Sequence, residues 1–285
     1  MPTFDTPEPI TATIEIQTGY LLIRASDRTD TVVEVRPRDQ SLAADVEAAE
    51  QTQVEYASGR LTVTAPKNRF RSIFGRAPSV EVTVDLPSGS RVDAKSVSDI
   101  HTEGLLGDST FETGAGSLNL DRAGRLRART AAGDITVGDV TGDADVATSA
   151  GRIRLGEVDG SAVAKSSSGN VTVGGVTGDL RINTAYGDIA VGLALTGITA
   201  KTAYGAVRVD ELVRGSAVLE TGFGAMEIGI REGTAAWLDI DSGQGVIRSE
   251  LDTTEGPEQA EDTVKVRART GFGDIVIRRP LAMNS

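Results

Sequence analysis

The sequence predicts an all-β protein: a right-handed parallel β-solenoid of about 18 residues per coil, preceded by an N-terminal β-rich cap containing one short helix. Three observations carry this. A glycine-centred pattern recurs at a nearly fixed interval, apolar residues alternate with period two inside each unit, and the composition suits thin stacked layers. There are 33 Gly and 39% hydrophobic residues, yet only 4% aromatic ones, so the core has to be assembled from Val, Ile, Leu and Ala.

The repeat is read by anchoring on the residue before each apolar pair. This gives Ser98, Gly116, Gly133, Gly151, Gly169, Gly187, Gly205, Gly224, Gly245 and Gly273, at intervals of 18, 17, 18, 18, 18, 18, 19, 21 and 28. A fixed period near twenty residues is the signature of a solenoid. In the unit starting at Gly133, apolar residues fall at Ile135, Val137, Val140, Ala144 and Val146. The following units repeat this with Ile153, Leu155, Val158, Ala162 and Ala164, and then with Val171, Val173, Val176, Leu180 and Ile182. Alternation marks half-buried strands and the Gly-rich breaks mark corners, so each unit is one coil of two or more short strands. Such a coil buries too little by itself and is stabilised by stacking on its neighbours. A left-handed hexapeptide helix needs apolar residues six apart, but counting from Ile135 reaches Thr141 and then Ala147; parallel crossovers otherwise favour the right hand.

Residues 1–90 lack the repeat and are expected to form the cap, with residues 91–285 as the solenoid. Within the cap, TATIEIQTG, YLLIRAS, TVVEVRP, TQVEY, RLTVTAP and SVEVTVDLP read as strands. SLAADVEAAE reads as a short helix with Ser41 at its N-cap. A capping segment covers the open edge of the first coil. At the other end, Arg278, Arg279 and Pro280 follow the last repeat and are expected to blunt the final edge. The insertion ELDTTEGPEQAED, with six carboxylates, reads as a solvated loop.

Composition also narrows function. No Cys means no disulfide framework, thiol nucleophile or Cys-based zinc site, and a single His leaves little for a catalytic triad or a transition metal. No cofactor is expected. A net charge of −12 repels phosphate, so nucleic acid is not an expected partner. The first residues, MPTFDTPEPITATIEIQ, show neither a basic nor an apolar signal region, and a cytoplasmic location is expected.

The recurrent G-D-I-x-V coils, the ending GFGDIVI and the opening FDTPEPITATIEI resemble a β-strand-repeat family of bacterial proteins labelled "putative adhesin", a domain of unknown function. The resemblance covers nearly the whole chain. It implies a β-solenoid and, through some Gram-positive relatives, a link to the cell envelope or its stress response. It implies no catalytic residues.

Each candidate site also has a purely structural reading. Outward carboxylates can serve a polysaccharide lyase or hydrolase, but coil alignment sets Arg129 opposite Glu112 and Arg125 beside Asp108, which reads as charge ladders across adjacent strands. Asp134 and Asp188, just after corner glycines, are the least neutralised. The stretch GGVTGD from Gly174 misses the calcium-binding GGxGxD spacing. His101 alternates outward as a solvated side chain, and no Gly pair continues into a dinucleotide fingerprint.

Two features remain as binding candidates. KNRFRSIFGR places Lys67, Arg69, Arg71 and Arg76 among Phe70, Ile73 and Phe74, a composition suited to a protein partner or to the inner membrane surface. An aromatic residue precedes the corner glycine at Tyr186, Tyr204, Phe223 and Phe272, with Ala115, Ala132, Ala150 and Ser168 in the earlier coils and Gln244 interrupting the series. Such rings either stack at the coil spacing as packing or, where exposed and coplanar, bind a sugar. The sequence therefore reads as a non-enzymatic interaction or scaffold protein. A bactofilin-like self-assembling scaffold and a carbohydrate-binding or carbohydrate-active protein are the alternatives, and the oligomeric state is left open.

Overall fold

A computed structural model describes residues 1–66, 77–251 and 262–280. Apart from one helix, its regular structure is β, and the chain divides into two compact units, Met1–Thr141 and Gly142–Ser285. Each is built from two sheets, and in the C-terminal unit successive strands contribute to them in alternation.

In the N-terminal unit the first sheet runs, in spatial order, Thr3–Asp5, Asp30–Pro37, Val80–Pro87, Gly19–Ser26, Ile100–Glu103, Leu118–Ala123 and Ile135–Val140. The second runs Gln53–Ala57, Arg60–Thr64, Thr11–Glu15, Arg91–Ser96, Ser109–Thr113 and Leu126–Ala132. The six strands expected before residue 90 are all present, and Thr3–Asp5 is an additional one. Thr11–Glu15 and Gly19–Ser26 pair in parallel with Arg91–Ser96 and Ile100–Glu103, as one coil beside the next. Antiparallel pairs occur at the outer side, where Asp30–Pro37 lies against Val80–Pro87 and Gln53–Ala57 against Arg60–Thr64.

The helix is Ala43–Gln51, and Leu42 occupies its N-cap without a side-chain hydrogen bond. The expectation for Ser41 is thus corrected. Its hydroxyl and backbone N–H both donate to Asp39 Oδ1, at 2.6 and 2.9 Å, so the side chain is already engaged one residue before the cap. Asp45 is buried and ties the helix to the strands by accepting the N–H groups of Asp39 and Ser79.

Among the described residues of the C-terminal unit every pairing is parallel. The first sheet holds Ile153–Val158, Val171–Val176, Ile189–Ala194, Val207–Leu212, Met226–Ile230, Ile275–Arg278 and Ile247–Ser249. The second holds Ala144–Ala150, Ala162–Ser168, Leu180–Asn183, Ile198–Tyr204, Gly215–Phe223, Asp262–Phe272 and Thr234–Gln244. Register aligns one apolar residue per coil, as in Ile153, Val171, Ile189, Val207, Met226 and Ile275. Across the interior the second sheet alternates small and large side chains along Ala164, Ile182, Ala200, Leu219 and Ala268, so the layer fills without large aromatic residues.

The spatial order departs from chain order at the end. Gly215–Phe223 pairs with Asp262–Phe272, and Thr234–Gln244 lies outside both. The chain runs to the outermost level first, and the last segment then inserts beneath it. The terminal edge is therefore Thr234–Gln244 with Ile247–Ser249, not the strand before Arg279 and Pro280. Arg279 instead donates to the carbonyls of Ile230, Arg231 and Thr234, fastening the chain where it steps outward.

Candidate functional site

The corner of each coil explains most of the repeat. At Gly187, φ is +148° and a β-carbon would lie 2.2 Å from the Gly169 carbonyl oxygen; at Gly205, φ is +152° and the corresponding distance to Gly187 is 2.1 Å. Backbone meets backbone here, and only glycine fits. Three residues before each corner glycine stands a hydroxyl facing inward. Thr130, Thr202, Thr221 and Thr270 donate to the carbonyls of Gly116, Gly187, Gly205 and Gly224 at 2.9 to 3.1 Å. These hydroxyls satisfy carbonyls at the turn between sheets, where a buried orphan is costly. The signal lies in the sequence as Thr or Ser three positions before all nine glycine anchors, among apolar residues of the same parity.

The residue after the glycine completes the corner. Asp188 Oδ1 accepts the N–H of Ala206 at 2.8 Å, Asn170 Oδ1 that of Asp188 at 3.0 Å, and Asp274 Oδ1 that of Val246 at 2.8 Å. Asp188 therefore links neighbouring coils, a role an amide fills equally at Asn170. Asp134 likewise has an interaction partner. Their recurrence in G-D follows from corner geometry.

Charge ladders follow the register. Glu112 faces Arg129 and Lys95, with Lys95 Nζ 3.4 Å from its carboxylate, and Asp108 Oδ1 accepts the backbone N–H of Arg125 at 3.0 Å. His101 is half-buried, with Nε2 3.5 Å from Glu103. No group of three or more His, Asp or Glu gathers to hold a metal among the described residues.

The four aromatic residues form one continuous ladder. Tyr186 stacks on Tyr204, Tyr204 on Phe223 and Phe223 on Phe272, with centroids 5.1, 5.0 and 4.7 Å apart and planes within 3°. They are 59, 48, 46 and 46% exposed. Gln244 does not interrupt the row: it pairs with Phe272 from the outer side and ends it, because its coil is the outermost. The rings stand face to face like coins in a roll. Their faces are covered by one another, and what reaches solvent is a ridge of ring edges about 15 Å long with two phenol hydroxyls. A sugar stacks on a ring face laid toward solvent, which this arrangement offers only at the two ends of the row.

Trp237, the sole tryptophan, is 62% exposed on the outer face of the second sheet. It lines a shallow depression of about 470 Å³ with Lys265, Arg267 and Asp239. Hydrogen bonds from Arg269 and then Arg267 hold the Asp239 carboxyl below its ordinary pKa. Trp237 sits in a repeat unit of irregular length, so its neighbours follow from strand pairing and not from the periodicity. The other binding candidates, Lys67, Arg69, Phe70, Arg71, Phe74 and Arg76, lie outside the described residues.

Two-sheet coils closed by glycine corners, hydroxyl braces and amide-binding aspartates define a parallel β-solenoid protein. More particularly, the chain belongs to the Toastrack DUF4097 family, whose model matches residues 21–278. Similar solved structures include a putative lipid binding protein from Parabacteroides distasonis (11% identity, 97% of this chain and 95% of that one, TM-score 0.45). A putative adhesin from Bacteroides fragilis matches at 14% identity over 97% and 95%, TM-score 0.40. A putative cell adhesion protein from Clostridium sporogenes matches at 13% identity over 98% of each chain, TM-score 0.24. No curated protein matches. Among the described residues, no helix is long and apolar enough to cross a membrane.

Proposed function

We propose that the protein is a non-enzymatic scaffold whose C-terminal unit binds a protein partner along its aromatic ridge. The observation that carries this is the alignment of Tyr186, Tyr204, Phe223 and Phe272 into one half-exposed row. Aligned aromatic edges offer apolar area at low conformational cost, and the phenol hydroxyls add directional contacts. The same corner carries Ser168 in an earlier coil, so the coil closes without a ring. The ridge therefore contributes more than the corner requires, which favours an interaction role. The carboxylates most available for hydrolysis are engaged with backbone amides or arginines, which favours a binding role over a catalytic one.

Capture of binding proteins from the native cell tests this, comparing the unaltered chain with the Tyr204→Ser, Phe223→Ser double variant. Loss of a specific partner from a variant that keeps its circular dichroism spectrum is the expected result; identical partners on both chains would reject the ridge. A parallel deletion of residues 67–76, assayed on anionic liposomes and on the captured partner, separates the basic aromatic segment's contribution from the ridge's.

A further inference from the structure

The terminal coil of the C-terminal unit ends in an open edge. Thr234–Gln244 is eleven residues long and, among the described residues, is hydrogen-bonded on one side only, to Asp262–Phe272. Its inner row, Ala236, Leu238 and Ile240, continues the buried rows of Val264, Val266 and Ala268, yet Leu238 is exposed and the other two half-exposed. Val246 and Ile247 of the same coil are exposed as well. Of the devices that discourage pairing the edge has only two acidic side chains, Asp239, paired with Arg267 and Arg269, and Asp241; it has no Lys, no Pro and no bulge in its register. The other edge strands differ. Thr3–Asp5 has three residues, Ile247–Ser249 has three, and Gln53–Ala57 has five.

We infer that this edge is a homodimer interface, in which Thr234–Gln244 pairs antiparallel with the same strand of a second copy across a two-fold axis. Among the described strands each chain carries one long edge of this kind, so its match is itself, and a two-fold contact closes as a dimer instead of growing as a filament. Parity is preserved, because an axis through Leu238 sets Leu238 against itself and Ala236 against Ile240, all on the inner row. On the outer row Trp237 then faces Asp239, whose charge is already held by Arg267 and Arg269, and Asp241 faces Ala235. No like charges oppose each other. Eleven residues at about 3.3 Å each, across two sheets about 10 Å apart plus their outer side chains, give an end face of roughly 700 Å² per copy. That approaches the roughly 800 Å² per partner of a stable specific interface.

The chain has no Cys, which permits a direct test. Directly opposed antiparallel residues have Cα atoms about 4.5–5.5 Å apart, within disulfide range. Leu238→Cys is expected to give a covalent dimer on mild oxidation, whereas Arg181→Cys on the exposed outer face gives none. By sedimentation over a concentration series, the full chain is expected to dimerise. Ile240→Lys, with an unchanged circular dichroism spectrum, is expected to raise the dimer dissociation constant about 100-fold by burying an unpaired charge. A monomer at every concentration overturns the inference. So does a dimer that survives Ile240→Lys without cross-linking at position 238, which places the contact elsewhere. A chain that dimerises only after residues 252–261 are replaced by a Gly-Ser linker also overturns it, assigning that segment as the occupant of the edge.

Discussion

Gly205→Ala tests whether the corner glycine is required by contact between coils and not merely by backbone conformation. Two costs are involved. Placing Ala at positive φ costs about 1–2 kcal/mol. The added carbon would also lie 2.1 Å from the Gly187 carbonyl oxygen and 2.5 Å from its carbon. Relieving that overlap means moving the two coils apart by roughly 1 Å, which stretches the bonds between them from Gly187 N to Tyr204 O and from Ile189 N to Ala206 O, each 2.9 Å. Losing one or two such bonds costs about 1–3 kcal/mol, for a total of about 2–5 kcal/mol. Gly233→Ala is the internal control: φ is +82° there, but nothing lies within 4 Å of the added carbon. Urea denaturation of both variants, with hydrogen exchange at the corner amides, is expected to leave Gly233→Ala within about 2 kcal/mol of the unaltered chain. If Gly205→Ala falls within about 1 kcal/mol of that control, the close approach of coils contributes little and the argument fails.

Three further outcomes are expected. A double-mutant cycle between Tyr204 and Phe223, each replaced by Ala, is expected to show a coupling of about 0.5–1.5 kcal/mol in denaturation; zero coupling would mean that the stacked geometry adds nothing beyond area. Asp188→Asn is expected to be nearly neutral, since Asn170 fills the equivalent corner, whereas Asp188→Ala loses the bond to Ala206 and about 1 kcal/mol in the same assay. The Asp239 carboxyl is expected to titrate below 3.8 by NMR and to move toward that value in Arg269→Gln. Because its pKa is lowered on folding, its contribution is present above the unfolded pKa and is lost as pH falls through the folded one, in the window below about pH 4.

Much of this architecture is legible in the chain. The parity of Ile135, Val137 and Val140 and of their counterparts identifies the inner face of each strand, because a side chain one residue out of phase would point to solvent. The glycine anchors locate the corners, and the aligned aromatics are visible as a series. What was obscured at the corners has a physical cause. Asp188 reads as an available acid because its amide partner, Ala206, is eighteen residues away, and the inner Thr row is easily passed over beside Ile and Val of the same parity. The helix start at Ala43 depends on Asp39 engaging Ser41, a local contact that competes with capping.

Coil length, strand parity and the need for glycine at each corner were determined by the sequence alone, since each follows from local geometry repeated at one period. The order of the last coils was decided by tertiary structure. Parallel coils are nearly equivalent neighbours, so an inward-facing strand fits on any level of the stack, and parity cannot choose among them. Gly215–Phe223 selects Asp262–Phe272 over the nearer Thr234–Gln244 by contacts between levels: Phe223 on Phe272, Thr270 on the Gly224 carbonyl and Arg278 on Glu227. That choice makes the aromatic ladder continuous and leaves Leu238 and Ile240 on an open edge.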